Sequence, residues 1–124
     1  MKRIVASHHP LRHARSLKFA LKGIWHAFLN EPNFRVQIII TLVAGFLGFR
    51  FNISAIEWAL LVLAMGSLLS AEIINTVIEE FMDHLIKEHH EGARIIKDLS
   101  AGFVLTTSLM TLTILLLIFS KYFV

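Results

Sequence analysis

The sequence predicts an all-α polytopic membrane protein, with three transmembrane helices preceded by an amphipathic helix at the membrane interface. Two observations lead to this fold class. The 124 residues are 56% hydrophobic with a mean hydropathy of +0.67, which is too apolar for a soluble domain of this size. The apolar residues are concentrated in three long stretches, and a basic segment with helical periodicity comes before them. The length corresponds to one domain, residues 1–124.

The segment before the first apolar stretch divides into two parts. Residues 1–11 show no periodicity and are predicted to form a flexible N-terminus. Residues 12–31 have helical periodicity, because their large apolar side chains fall on one side of a helix and their cations on another. Such a helix lies in the headgroup layer with its apolar side toward the acyl chains. Pro32 predicts a break, with a new helix starting at Asn33.

Three transmembrane helices are predicted, at residues 33–51, 54–86 and 98–120. The third contains no charge between Leu99 and Ser120, and it meets the roughly 20-residue length of a spanning helix without help. The second spans comfortably only if the helix continues through several acidic residues. The acidic residues therefore lie at membrane depth or at its boundary.

Lysine and arginine are distributed unevenly along the chain. Seven of the twelve lie before or at the start of the first apolar stretch, at positions 2, 3, 12, 15, 18, 22 and 35. The connection after the first span holds Arg50 alone, whereas the connection after the second holds Lys87, Arg94 and Lys97. Since cytoplasmic segments carry the excess of positive charge, the N-terminus and the second connection are predicted to be cytoplasmic.

The second predicted span carries an acidic side. Glu72, Asn75, Glu79 and Asp83 are separated by three, four and four residues, so they point to one side of a helix over about 16 Å. Carboxylates at membrane depth are rare and mark function by default. Oxygen ligands in a chain without cysteine favour a hard cation such as Mg²⁺. Three interpretations stay open: a buried ion-pair network, the proton or ion pathway of a small transporter, and metal-assisted chemistry.

The connection between the second and third spans adds polar residues near the lower end of this acidic side. His89, His90, Lys97 and Asp98 lie there. Lysine can pair with phosphate, and aspartate can accept hydrogen bonds from hydroxyl groups. The sequence contains no glycine-rich phosphate loop, so a nucleotide would be held by carboxylate–Mg²⁺ bridges and single basic residues. A zinc site from His84, His89 and His90 fits no standard spacing.

Three runs of the sequence, NEPNFR, EIINTVIEEFMD and HHEGARIIKDLSAG, resemble in order and spacing the prokaryotic diacylglycerol kinase family, which includes the undecaprenol kinases. The resemblance covers residues 12–119. It implies a homotrimeric enzyme of the bacterial inner membrane that transfers the γ-phosphoryl group of ATP to a membrane lipid alcohol, with Mg²⁺ as cofactor and no nucleic-acid partner. Diacylglycerol and undecaprenol are both possible acceptors. The run KDLSAGFVL is nearer the Gram-positive type, which favours undecaprenol.

The resemblance also implies roles for single residues. Glu72 is implied as the catalytic base on the lipid hydroxyl, with Asn75 shaping that site and Arg35 beside the lipid substrate. Glu31 and Glu79 are implied as the Mg²⁺-binding pair on the nucleotide phosphates. The other residues implied at the nucleotide are Arg12, His90, Lys97 and Asp98.

Two positions depart from the family pattern, and one further residue fits it. Val77 stands where alanine is common, and Phe103 replaces a small residue, so both changes bear on the fit of the lipid more than on the chemistry. Asp83 matches the motif and is interpreted as support for the polar end of the site. Glu72 and Glu79 lie about 10 Å apart along one helix, which predicts that they serve different ends of the reaction.

Overall fold

The computed structural model describes the backbone of residues 10–123 and the side chains of residues 13–123. This part of the chain is helical with no β-strand, which confirms the predicted all-α class. Four α-helices and a terminal 3-10 turn follow one another: α1 (Pro10–Asn30), α2 (Pro32–Phe51), α3 (Ala55–Leu85), α4 (Glu91–Phe119) and the turn Ser120–Tyr122.

The helix bounds differ from the predicted ones by more than one residue at two places. α1 begins at Pro10, so residues 10 and 11 of the predicted flexible N-terminus are helical, and residues 1–9 lie outside the described part of the chain. α4 begins at Glu91, whereas the third span was predicted to start at residue 98. The added turns are polar but helical, since Glu91 complements the positive end of the helix dipole and Arg94 pairs with it three residues along.

A single residue, Glu31, separates α1 from α2. Its backbone is extended (φ −101°, ψ 109°), and Pro32 begins α2. Proline disfavours the helical conformation in the residue before it, and it suits the first turn of a helix, where its missing N–H group leaves no bond unmade. Arg35 closes the corner, because its Nη1 donates to the carbonyl oxygens of Phe28 (3.1 Å) and Leu29 (2.8 Å) in the last turn of α1.

Local capping bonds form the connection between α2 and α3. Asn52 takes the left-handed conformation (φ 51°, ψ 52°) that asparagine tolerates better than most residues, and the next N–H group, from Ile53, donates to the carbonyl of Gly48 at 3.1 Å. α3 then opens with a capping box. The backbone N–H of Ser54 donates to the Glu57 carboxylate at 2.8 Å, and the N–H of Glu57 donates to the Ser54 hydroxyl at 3.3 Å.

α3 is the central helix and contacts each of the other three. Its buried alanines, Ala64 (2% exposed) and Ala71 (1%), allow a neighbouring helix to approach closely. Thr111 of α4 donates its hydroxyl to the carbonyl oxygen of Ala64 at 3.2 Å, which fixes α4 against α3 at this height. Three polar residues of α3, Glu72, Asn75 and Thr76, lie in the interior of the bundle.

An apolar cluster closes the end of the bundle that is opposite the α1–α2 corner. Its buried members are Ala44, Ile53, Leu61, Met65, Ile118 and Phe119. The rings of Phe51 and Tyr122 stack on it with their centroids 5.0 Å apart. Lys121 forms an ion pair with Glu57 of the capping box. The terminal turn is thus held to the α2–α3 connection.

Three helical stretches are long and apolar enough to cross a membrane: Pro32–Phe51, Ala55–Leu85 and Glu91–Tyr122. In the middle stretch, 44% of an apolar 18-residue segment is buried inside the chain, compared with 22% of the corresponding segment in each of the other two. The remaining apolar side chains are exposed, an arrangement that is favourable in lipid and unfavourable in water. α3 is accordingly the inner helix of the three.

Gly48→Ala is expected to destabilise the fold. A methyl group at this position would lie 2.8 Å from Cη2 of Trp58, whose ring is itself packed on Phe49, so the ring must move. Overpacking of this kind costs about 1–3 kcal/mol. We expect a lower midpoint of thermal unfolding in detergent micelles. Gly45→Ala is the matched control on the same helix, since a methyl group there meets nothing within 4 Å. An equal effect of both changes would contradict the packing of α2 on Trp58.

Candidate active site

The acidic side of α3 runs from the buried middle of the helix to its exposed end. Glu72 is 1% exposed and Asn75 is 8% exposed. Glu79, two turns along α3 from Glu72, is partly buried, and Asp83 is exposed. The residues that the sequence predicted on one side of a helix therefore form a series in which accessibility increases toward the end that carries the α3–α4 connection.

α2 supplies the partner that holds the carboxylate of Glu72. Nε2 of Gln37 donates to Oε2 of Glu72 at 2.8 Å, and Gln37 is itself 7% exposed. The hydroxyl of Thr76 donates to the backbone carbonyl of Glu72 at 3.0 Å. The Gln37 donor is needed because an unpaired buried charge costs several kcal/mol. Sequence analysis assigned Gln37 no role, although a lone amide in an otherwise apolar span was the available signal.

Asn75 connects α4 to the next carboxylate along α3. The hydroxyl of Ser100 donates to Oδ1 of Asn75 at 2.7 Å, and Nδ2 of Asn75 donates to Oε1 of Glu79 at 3.0 Å. Since the amide uses both ends, its orientation is fixed, and it in turn orients the Glu79 carboxylate. Ser100 was not predicted as a site residue. Its place in the site depends on how α4 packs on α3.

Glu31, at the α1–α2 corner, is electrostatically coupled to the acidic side of α3. Burial raises the pKa of Glu31 above its ordinary value of 4.5, and the negative charges of Glu79, Glu72 and Glu80 raise it further. Carboxylates that repel one another in this way favour a bound cation. Glu31 and Glu79 can each supply an oxygen ligand to Mg²⁺, which keeps several other positions for phosphate oxygens and water.

Within residues 10–123 no three His, Asp or Glu side chains are placed to hold a metal ion by themselves. His84, His89 and His90 form no such group. Nδ1 of His84 instead lies 3.4 Å from a carboxylate oxygen of Glu80 on the same helix. A Mg²⁺ site built on two carboxylates would depend on nucleotide phosphates for further ligands, which is usual for this ion.

Ion pairs occupy the charged residues at the start of α4. Nζ of Lys97 lies 2.9 and 3.1 Å from the two carboxylate oxygens of Asp83, so the predicted phosphate-binding lysine is tied to the exposed end of the acidic side. Asp98 accepts a hydrogen bond from Arg94 at 2.9 Å, and Arg94 also donates to Glu91. Asp98 thus belongs to a surface cluster on its own helix.

Three other predicted site residues have different surroundings. His90 directly precedes α4, is exposed and makes no side-chain capping bond. The side chain of Arg12 lies outside the described residues. Arg35, predicted beside the lipid substrate, uses Nη1 to close the α1–α2 corner. That contact was missed because it depends on where α1 ends.

Comparison with known proteins identifies a family that matches most of the chain. The sequence profile of the family described as prokaryotic diacylglycerol kinase matches residues 18–119. An undecaprenol kinase of Bacillus subtilis (strain 168) is 34% identical over 108 residues, which cover 87% of this chain and 88% of that protein. A diacylglycerol kinase of Synechocystis sp. is 30% identical over 95 residues, which cover 76% of this chain and 54% of that protein.

A diacylglycerol kinase of Escherichia coli (strain K12) is 30% identical over 87 residues, which cover 70% of this chain and 71% of that protein. The family match spans α2, α3 and α4, and it includes every residue of the acidic side. The chain belongs to the prokaryotic diacylglycerol kinase family of membrane lipid kinases.

Proposed function

We propose that the protein transfers the γ-phosphoryl group of ATP to the hydroxyl group of a membrane lipid in a Mg²⁺-dependent reaction. The observation that carries this proposal is the connected polar side of α3. One end of this side has the fully buried carboxylate of Glu72. Toward the other end lies the partly buried carboxylate of Glu79, which is electrostatically coupled to Glu31. A base at membrane depth and a cation site nearer the surface suit a reaction between a lipid alcohol and a water-soluble nucleotide.

Glu72 is proposed as the general base. Its carboxylate accepts the hydroxyl proton of the lipid while the lipid oxygen bonds to the γ-phosphorus, and the bond from that phosphorus to the leaving oxygen of ADP breaks. A positioned base contributes about 10²–10⁴-fold to such a step. Because Glu72 is 1% exposed, bulk water has no direct contact with it, which protects the phosphoryl group from hydrolysis.

Glu31 and Glu79 are proposed to hold Mg²⁺ together with the phosphates of ATP. The ion neutralises charge on the phosphoryl oxygens when bound. Asn75 supports this role, since it fixes the Glu79 carboxylate from one side. Lys97 is proposed to exchange the Asp83 carboxylate for a phosphate oxygen when the nucleotide binds, because an ion pair at the surface is weak enough to be replaced.

Arg12, His90 and Asp98 are proposed to surround the nucleotide on the same side of the membrane. The proposal rests on the family resemblance and on the position of His90 and Asp98 beside the N-terminal end of α4. Arg35 is proposed to lie near the lipid headgroup as well as to close the α1–α2 corner.

Undecaprenol is the lipid acceptor that the comparisons support best, with diacylglycerol as the alternative. The undecaprenol kinase of Bacillus subtilis shares more of its length and a higher identity with this chain than do the diacylglycerol kinases described above. The family resemblance further supports a homotrimer in the bacterial inner membrane. The excess of cations around α1 and in the α3–α4 connection supports a cytoplasmic location for both.

Glu72→Gln and Glu79→Gln are each expected to lower the rate of phosphate transfer by at least about 100-fold, since one removes the base and the other a metal ligand. Transfer of labelled γ-phosphate from ATP to undecaprenol in mixed micelles measures this. Glu80→Gln is the matched control, because Glu80 lies on the same helix but pairs with His26 and His84 at the surface. Normal turnover in either test variant, with an unchanged size-exclusion profile, would refute its assigned role.

Mg²⁺ is expected to stabilise the protein more as the pH rises. The pKa of Glu31 is raised above 4.5 in the folded protein without metal, so this group's contribution to stability is complete below pH 4.5 and is lost as the pH rises through the raised pKa. Mg²⁺ binds the ionised carboxylate and reverses the loss. Thermal unfolding with and without Mg²⁺ from pH 4.5 to 8 measures the increment. It should shrink markedly in Glu31→Gln, and an equal increment in that variant would contradict a metal site at Glu31.

A further inference from the structure

Gln37 carries an unpaired polar atom inside the bundle. Its Oε1 is the one buried side-chain nitrogen or oxygen among the described residues that has no hydrogen-bond partner. Gln37 as a whole is 7% exposed. Leaving a buried acceptor without a donor is unfavourable, and nearly all buried polar groups in folded proteins are satisfied. An acceptor left open at this position therefore calls for a donor from outside the chain.

The bond between Gln37 and Glu72 fixes which end of the amide is open. Nε2 of Gln37 faces Glu72 and donates to its Oε2 at 2.8 Å, so the Oε1 end of the amide is the open one. Oε1, at the other end of the same planar amide, is then directed away from Oε2 of Glu72. The unpaired acceptor lies next to the proposed base and cannot rotate away without breaking that bond.

The nearby hydroxyl groups are already engaged. The single proton of Thr41 is shared between the backbone carbonyl of Gln37 (2.8 Å) and the sulfur of Met65 (3.4 Å). Thr76 donates to the carbonyl of Glu72, and Ser100 donates to Asn75. None of these groups is paired with Oε1 of Gln37.

We propose that Oε1 of Gln37 accepts the hydrogen bond of the lipid substrate's hydroxyl group and positions that hydroxyl beside Glu72. The ligand is the alcohol group of a membrane lipid, whether on a prenol or on an acylated glycerol. This assignment rests on the proposed function. It adds a substrate-positioning residue on α2 to the groups proposed above.

One amide then serves two purposes in the transfer step. Its N–H group holds one oxygen of the Glu72 carboxylate, and its carbonyl oxygen holds the substrate hydroxyl before reaction. At the transfer step the lipid O–H turns from Oε1 of Gln37 to the Glu72 carboxylate. Its proton passes from the lipid oxygen to that carboxylate as the lipid oxygen bonds to the γ-phosphorus and ADP leaves with the electron pair of the broken bond. The amide gains and loses no proton, so it can hold the next hydroxyl unchanged.

The sequence offers a direct spectroscopic test, because Gln37 is the only glutamine among the 124 residues. Protein labelled with glutamine that is ¹³C at the side-chain carbonyl gives a single amide carbonyl signal in detergent micelles. We would titrate farnesol and 1,2-dioctanoylglycerol, each in parallel with its deoxy counterpart, which lacks only the hydroxyl group. We expect the signal to shift with an alcohol and to stay in place with the deoxy compound. A shift with one alcohol alone identifies the acceptor class.

Binding constants give a second reading. The alcohol is expected to bind about threefold to tenfold more tightly than its deoxy counterpart, as for one net hydrogen bond. Gln37→Met should abolish this preference. Thr41→Val is the matched control one turn along α2 and should retain it. Equal loss of affinity for both compounds in Gln37→Met would assign Gln37 a purely structural role.

The two proposals fail in different ways. An unchanged carbonyl signal at saturating alcohol would overturn the role of Gln37 even if the protein is an active kinase. Conversely, an alcohol-dependent shift in a protein that transfers no phosphate to either lipid would support the role of Gln37 as an alcohol-binding group and overturn the proposed reaction. The labelled wild-type chain is sufficient for this distinction, so it does not depend on the folding of any variant.

Discussion

The structure depends on holding one carboxylate, that of Glu72, inside a bundle of apolar helices. A buried charge is tolerated only when hydrogen bonds replace the water it has lost. Gln37 provides such a bond from α2, and this couples the position of the first apolar helix to that of the central one. The polar residues further along α3 then follow a path of increasing exposure, so that the burial of Glu72 and the accessibility of Asp83 belong to one continuous side of a helix.

The two ends of the bundle are stabilised by different chemistry. At the α1–α2 corner, Pro32 stops one helix and starts the next, and Arg35 binds the carbonyl groups that α1 leaves open. Glu31 is thereby held beside the other carboxylates, where repulsion and burial raise its pKa and favour a cation. At the opposite end, Glu57 caps α3 and pairs with Lys121, which closes the structure without contributing to the acidic site.

Sequence periodicity was sufficient to predict the helices and the acidic side of α3, because both follow from local spacing along one helix. The contacts of Gln37 and Ser100 were not predictable in the same way, since they depend on how α2 and α4 rotate against α3. The corner contact of Arg35 depends on where α1 ends, and periodicity does not determine that. The early start of α4 at Glu91 was missed because hydropathy marks the apolar part of a helix, whereas the charged turns before it are stabilised by Arg94.

The most direct test of this account is transfer of labelled γ-phosphate from ATP to undecaprenol and to diacylglycerol by the purified protein, side by side in mixed micelles, with and without Mg²⁺. We expect a labelled lipid that forms only with Mg²⁺, and more of it with undecaprenol. The absence of labelled product from both lipids, in a protein that remains folded and assembled, would contradict it and leave the buried carboxylates to a structural or transport role.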